Sequence, residues 1–219
     1  MLRYIYADSL HRHPRLAATM FRDRARQFAE RLGWAVSVNE KGEERDEYDA
    51  LNPLYVIWER SDGSHGGSMR FLPTVGRTMV NEHFLHLTGG VAIESPLIWE
   101  CSRFCLAPDA GGRVSAALML GGLELGLGFH LAHSVGVFDA RMTRVYRRLG
   151  WEPTVIGSAG EGRAAVSVGL WEFDAALRSR LAARGGVSAE LSRRWFAQDL
   201  ATPAPAPAGA HLAAPALAV

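Results

Sequence analysis

The sequence is short of several features that would narrow its class at once. It has two cysteines in 219 residues, too few for a disulfide scaffold. Those two, Cys101 and Cys105, are four apart without zinc-type spacing or a nearby histidine. The pairs His83/His86 and His130/His133 lack the further ligands of a metal motif, so no metal is expected. Charge of one sign is also missing: 24 basic against 23 acidic residues leave a net charge of +1, and bulk electrostatics gives no reason to expect a nucleic-acid partner. There is no GxGxxG, GxxxxGK[ST] or GxSxG, which weakens nucleotide-phosphate and α/β-hydrolase readings. The longest apolar stretch, Val114 to Ala132, is interrupted by Glu124, His130 and glycines, so it reads as a buried helix rather than a membrane span. The N-terminus, MLRYIYADSLHRHPRL, carries charges where a secretory leader needs an apolar run. A cytoplasmic protein with reduced cysteines and no stable membrane insertion is expected. Lysine is nearly absent, Lys41 being the only one. That bias is first of all what codon usage produces, and its functional alternative is arginine forks that bind carboxylates or phosphates.

What is present is an ordinary globular composition, 48% hydrophobic and 21% charged, of a length that suits one domain with or without a tail. A helix is predicted over Ser9 to Leu32, stopped by Gly33. Asn39 to Ala50, polar and acid-rich, reads as an exposed loop. LYVIWE and GSMRFL, joined by SDGSHGG, read as an antiparallel hairpin. Leu97 to Leu106 is a strand candidate, followed by the apolar helix from Val114 and a short strand at Ser134 to Phe138. Asp139 to Leu149 reads as a helix with an N-cap aspartate and a terminal Gly150. Ala164 to Phe173 is a late strand, and Asp174 a cap for a helix running toward Arg184. The order implies an α+β sandwich around a mixed sheet rather than repeated βαβ units. From Ala201 the chain has four prolines and no charge, so a domain over 1–200 and a disordered Ala/Pro-rich tail over 201–219 are expected.

Four groups of residues remain as carriers of chemistry. Arg24 and Phe28 share a helix face at i and i+4, with Trp34 just beyond. A guanidinium beside an aromatic holds a carboxylate over an apolar wall, and the same spacing serves plain amphipathic packing. Asp46 and Asp49 flank Tyr48. Paired carboxylates attract an ammonium group, an indole stabilises an onium, and an acidic loop is also simply a solvated one. Glu100 and Arg103 stand in WECSRF, three apart, so they face opposite sides unless a bulge intervenes. So apolar a strand should not bury charge without a reason. Glu100 is a candidate base, with Arg103 binding a carboxylate or orienting the glutamate. Arg141, Arg144 and Arg148 align on a helix with Arg147 adjacent, as a solvated face or as a dock for an acidic partner.

Taken in order, these features resemble the acyl-homoserine-lactone synthases, the LuxI-type autoinducer synthases. The residues are Arg24-x-x-x-Phe28, Leu32-Gly33-Trp34, Asp46-x-x-Asp49, SMRFLPT with Arg70, Phe84, and WECSRF with Glu100 and Arg103. The resemblance runs from about Leu2 to Trp171, and its motifs end at Phe104. It implies a GNAT-like acyltransferase fold, a mixed twisted sheet packed by helices as an α/β/α sandwich, with a cleft for an acyl-pantetheine. It implies two substrates, S-adenosylmethionine as amino-acid donor and a fatty acyl group on acyl carrier protein or coenzyme A. No cofactor is implied, since S-adenosylmethionine is consumed. The amine would attack the thioester, and lactonisation would then expel methylthioadenosine, giving a quorum-sensing signal.

The resemblance also implies roles. Glu100 would be the base, acting through a water, with Asp46 and Arg103 completing the catalytic set. Arg24, Phe28, Trp34, Asp46, Asp49, Arg70, Phe84 and Arg103 would bind S-adenosylmethionine, Arg70 by pairing with the acidic loop. The acyl chain is expected between the sheet and the long helix, against Met79, Trp99, Phe104, Leu118, Met119, Gly136 and Val137. Relatives with 3-oxo chains carry a threonine in the strand before the basic helix. Here HSVGVFD offers Gly136, so unsubstituted or 3-hydroxy chains are expected. Gly121, Gly122, Gly126 and Gly128 would make room for a long chain or serve close packing. Arg113, Arg144, Arg147 and Arg148 would dock the acidic carrier protein and its phosphopantetheine. The N-terminal part would close over the site. Two other readings share the composition: a GNAT-type synthase of N-acyl amino acids, and a non-catalytic acyl- or carrier-protein-binding module.

Overall fold

The computed structural model describes residues 1–200; the tail expected over 201–219 lies outside the described residues. Seven strands form one sheet: β1 (Leu2–Tyr6), β2 (Leu54–Glu59), β3 (His65–Pro73), β4 (Ile98–Leu106), β5 (His133–Asp139), β6 (Thr154–Ala159) and β7 (Val166–Glu172). Their order is β1-β2-β3-β4-β5-β7-β6. Every neighbouring pair is antiparallel except β4 and β5. Six helices accompany it: α1 (Pro14–Ala25), α2 (Met79–His83), α3 (Gly112–Gly128), α4 (Ala140–Leu149), α5 (Leu177–Gly185) and α6 (Ala189–Leu200). The mixed sheet packed by helices is the architecture anticipated from the sequence.

The period-2 alternation of β2 divides the core. Tyr55 and Ile57 join Leu16, Met20 and Phe21 of α1 on one face. Leu54 and Val56 join Met69, Phe71, Leu118 and Leu125 on the other, where α3 lies. α3 is apolar over most of its surface because it is covered by the sheet and by α5 and α6, and its buried Glu124 is paired with Arg178 of α5 at 2.9 Å. α4 begins where Asp139 accepts from the Arg141 amide and ends at Gly150 with φ +77. Both caps stand where the sequence placed them.

Several expectations are corrected. The first helix is not continuous from Ser9. A 3₁₀ turn spans Ala7–Arg12, and α1 starts at Pro14, whose missing N–H is harmless in a first turn. Its end widens into a π-turn over Arg26–Arg31 before Gly33 at φ +66. The acidic segment is no solvated loop: Glu44 and Tyr48 are buried, and Asp46 caps a 3₁₀ turn at Glu47–Leu51. The first strand is tied into the sheet, since β1 pairs with β2 through its whole length. Strands β1 and β6 and helices α2 and α6 had no counterpart in the sequence reading.

Candidate active site

The strands β4 and β5 pair only over Ile98–Glu100 and His133–Val135. Beyond that they diverge, and a cavity of about 750 Å³ opens in the fork. Gly136 stands just past the last pair. A Cβ there would lie 3.1 Å from the Cys101 carbonyl oxygen and 3.2 Å from the Trp171 ring, so a side chain at this position would crowd the start of the fork. At one end the cavity meets Phe28, Trp34, Phe84, Met79 and Arg103; toward the other it is bounded by β3, α3 and β7 through Met69, Met119, Gly122 and Trp171.

The polar end is organised by a β-bulge. Arg70 pairs with Ser102 and Ser68 with Cys105, so Arg103 and Phe104 together oppose Met69. Arg103 takes φ +53, a left-handed conformation that an arginine adopts at a cost of roughly 1–2 kcal/mol. The extra residue turns its side chain to the face carrying Glu100 and Arg70, which answers how residues three apart on a strand serve one site.

Three guanidiniums and three carboxylates interlock there. Arg24 holds Glu44 through Nε at 2.5 Å and Asp49 through both Nη atoms at 2.9 Å. Arg70 donates to Asp49 at 2.9 Å, to both oxygens of Asp46, and to Ser102 Oγ at 3.1 Å. Arg103 reaches Glu44 at 3.0 Å and Asp46 at 2.7 Å. Tyr55 donates to Asp49 at 2.5 Å. Burial alone would push the Asp49 carboxyl up, but Arg24 and Arg70 hold it well below the ordinary carboxylate range. The same pairing raises the Arg24 guanidinium against the effect of its burial.

Glu100 stands beside this network without joining it. It is 0% exposed and accepts from the amides of Val80 at 2.6 Å and Met79 at 3.1 Å. Burial raises its pKa, with those two amides pulling the other way. The short α2 is thus tied to β4 through the glutamate. Burial also pushes the Cys101 thiol up to about 12, so it is no thiolate at neutral pH.

Of the residues singled out from the sequence, Phe28, Trp34, Met79, Phe84, Arg103, Phe104, Met119, Gly136 and Val137 line the cavity. The rings of Phe28 and Trp34 stack at 5.2 Å and 9°, and Arg103 sits 5.4 Å above Phe28. Arg24, Asp46, Asp49, Arg70 and Glu100 stand behind that wall rather than in it. Trp99 and Leu118 do not line the cavity: both pack into the core between the sheet and α3, Trp99 against Phe129 at 5.0 Å. The α3 glycines divide. A Cβ on Gly121, Gly126 or Gly128 would come within 2.6 Å of Val56, Phe173 or Phe196, whereas Gly122 faces the cavity. Arg113, Arg144, Arg147 and Arg148 are exposed; Arg147 lies 3.5 Å from Glu152. They are clear of the fork, while Arg141 and Arg163 stand at its rim. Glu44 was missed. It is fully buried and bridges Arg24 to Arg103, yet in the run EKGEERDE nothing local separates it from the exposed Glu40 and Glu47. Among the described residues the one grouping of possible metal ligands, Glu47, Glu82 and His83, is exposed. No helix there is long and apolar enough to cross a membrane.

Comparison with known proteins places this geometry. The family described as autoinducer synthase matches residues 8–181. An acyl-homoserine-lactone synthase of Rhizobium etli is 41% identical over 182 residues, covering 80% of this chain and 85% of its own. One of Agrobacterium fabrum is 34% identical, covering 69% and 78%. Among solved structures, the CoA-dependent acyl-homoserine lactone synthase BjaI, with SAM and isopentyl-CoA, superposes with a TM-score of 0.75 at 24% identity, over 85% of this chain and 90% of that one. An acyl-CoA N-acyltransferase from Pseudomonas aeruginosa gives 0.53 at 14% identity, over 78% and 99%, which extends the likeness of fold to the GNAT acyltransferases.

Proposed function

The chain belongs to the autoinducer synthase family and is an acyl-homoserine-lactone synthase, an acyltransferase; from that premise we propose how its own residues carry the reaction. S-adenosylmethionine binds at the polar end of the cavity, and the acyl group of an acyl thioester lies in the apolar remainder. The amine attacks the thioester carbon. The C–N bond forms, the C–S bond breaks, and the thiol leaves with the proton that the amine gives up. The carboxylate of the same molecule then attacks its γ carbon. The C–S bond to sulfur breaks, the electron pair stays on sulfur, and methylthioadenosine departs as the lactone closes. The sulfonium is already a good leaving group, so that step is one of positioning.

The observation that carries this reading is the junction of an apolar fork cavity with a charge-balanced network of which one arginine faces the cavity. Arg103 is the member of the network that faces the cavity. It is assigned the substrate carboxylate, with Glu44 and Asp46 behind it fixing its fork. Arg24, Asp49 and Arg70 act as the frame of that arginine. The stacked pair of Phe28 and Trp34, with Trp34 still 44% exposed, forms the wall against which the sulfonium and adenosine lie. Glu100 takes the amine proton through a water, because its carboxylate is set behind Met79 and Ser102. The basic face of α4 and Arg113 serve an acidic carrier protein as donor, and coenzyme A is the alternative donor. The domain is assigned to 1–200.

The test is to supply purified protein with S-adenosylmethionine and acyl thioesters on either carrier, following methylthioadenosine by chromatography and the acyl product by mass. Stoichiometric methylthioadenosine and a homoserine-lactone product are expected. An N-acyl amino acid without methylthioadenosine would replace this reading with the other acyltransferase one, and no product would favour a binding module.

A further inference from the structure

The apolar part of the cavity has a floor with a regular spacing. Ser115, Met119 and Gly122 line it from α3, at i, i+4 and i+7, one stripe of the helix. At 1.5 Å per residue that stripe runs about 10 Å from Ser115 to Gly122. The next position on it, Gly126, does not line the cavity. Phe173 covers it so closely that a Cβ on Gly126 would lie 2.1 Å from the ring, and Phe173 in turn lines the cavity and packs on Trp151 at 5.7 Å. Two glycines on one stripe therefore do opposite things. Gly122 borders the cavity with no side chain, and a Cβ there would already crowd the Met69 methyl at 3.2 Å and the Phe71 ring at 3.4 Å, so only glycine keeps that width open. Gly126 lets an aromatic ring seat on the helix and end the space.

We propose that this stripe of α3 measures the acyl chain, with Gly122 opening the last segment of the cavity and Phe173, seated on Gly126, closing it. The inference rests on the acyl-homoserine-lactone synthase reading and adds to it a determinant of chain length. Around that last segment stand the apolar Met69, Phe71, Met119 and Phe173, with Trp171 at the same end carrying a buried indole N–H that has no hydrogen-bond partner among the described residues.

The experiment uses the full chain and a series of saturated acyl thioesters of increasing length, with methylthioadenosine release giving kcat/KM for each. Gly122→Val should lower the ratio of long-donor to short-donor kcat/KM by about tenfold or more and move the optimum to shorter chains, as expected when a pocket loses the space of a methylene or two. Phe173→Ala should move the optimum the other way. Should either variant fail to fold, Gly122→Ala and Phe173→Leu keep the same opposite signs, because the Met69 methyl can yield a few tenths of an ångström. Optima and ratios within twofold of the parent in both directions would overturn the proposal. Absence of methylthioadenosine from the parent protein with every donor would instead overturn the function on which it rests.

Discussion

Replacing Asp49 by asparagine separates frame from chemistry in the charged network. The carboxylate accepts from both Nη atoms of Arg24, from Arg70, from Tyr55 and from the Asp46 amide. Asparagine keeps one acceptor oxygen and turns an NH₂ toward groups that are already donors. It also leaves three buried arginines facing two carboxylates. Breaking a buried pair in this way costs about 3–5 kcal/mol, a large part of the 5–15 kcal/mol that holds a typical domain together. For a chain of this size that corresponds to a fall in melting temperature of roughly 6–20 °C. The pH dependence follows the same carboxylate. Its folded pKa lies below the ordinary 3.8, so its stabilisation is full above that value and lost as pH falls through the folded pKa. The parent should therefore lose stability below about pH 4 more steeply than the variant. Urea unfolding at several pH values, with the m-value held constant, measures both effects. Assays well below the variant's transition should find kcat/KM for S-adenosylmethionine far less affected than stability. A variant with parental stability and no turnover would refute the reasoning and place Asp49 in the chemistry.

Other outcomes are open to direct test. Glu100→Gln should lower kcat by about 100-fold or more, as loss of a general base does. The parent's kcat/KM should rise with pH through a limb above the ordinary 4.5, because burial raises this carboxyl, and the variant should lack that limb; parental rates would remove Glu100 as base. Reversing Arg144, Arg147 and Arg148 to glutamate should raise KM for acyl carrier protein more than for acyl-coenzyme A, and an equal rise would end the docking assignment. Gly136→Thr should destabilise by about 1–3 kcal/mol on urea unfolding, since its Cβ meets the Cys101 carbonyl and the Trp171 ring.

The parts of the fold that were legible in the sequence are those whose signals are local. The hairpin of β2 and β3 alternates cleanly over a turn rich in glycine, and α4 carries its own aspartate and glycine caps. β1 and β6 were not legible. LRYIY is short and sits among charges, and TVIGSA is an exposed edge with no buried face to pattern. The acidic segment misled because its composition is that of a solvated loop. Its burial comes from guanidiniums 20 to 60 residues away, Arg24, Arg70 and Arg103, which no window can see. The bulge that aims Arg103 was raised only as a condition, since no glycine announces a positive φ there. The assembly of Arg24, Asp46, Asp49, Arg70 and Arg103 came from resemblance to a family, not from periodicity. Its missing member, Glu44, belonged to no quoted motif.

The equal count of guanidiniums and carboxylates behind the cavity has a consequence for how this protein can vary. Each of the six is shared by at least two partners, so the effect of a change at one depends on the state of the others, and double-mutant cycles among them should give large coupling energies. A lone substitution strands a buried charge, and only compensated pairs leave the frame neutral. The hydrocarbon half of the cavity has no such bookkeeping, and volume changes there should combine almost independently once they are not in contact. The protein thus joins an epistatic half to an additive one. Laboratory selection for a new acyl group should move in single steps, while selection for a new amino donor should stall until two changes arrive together.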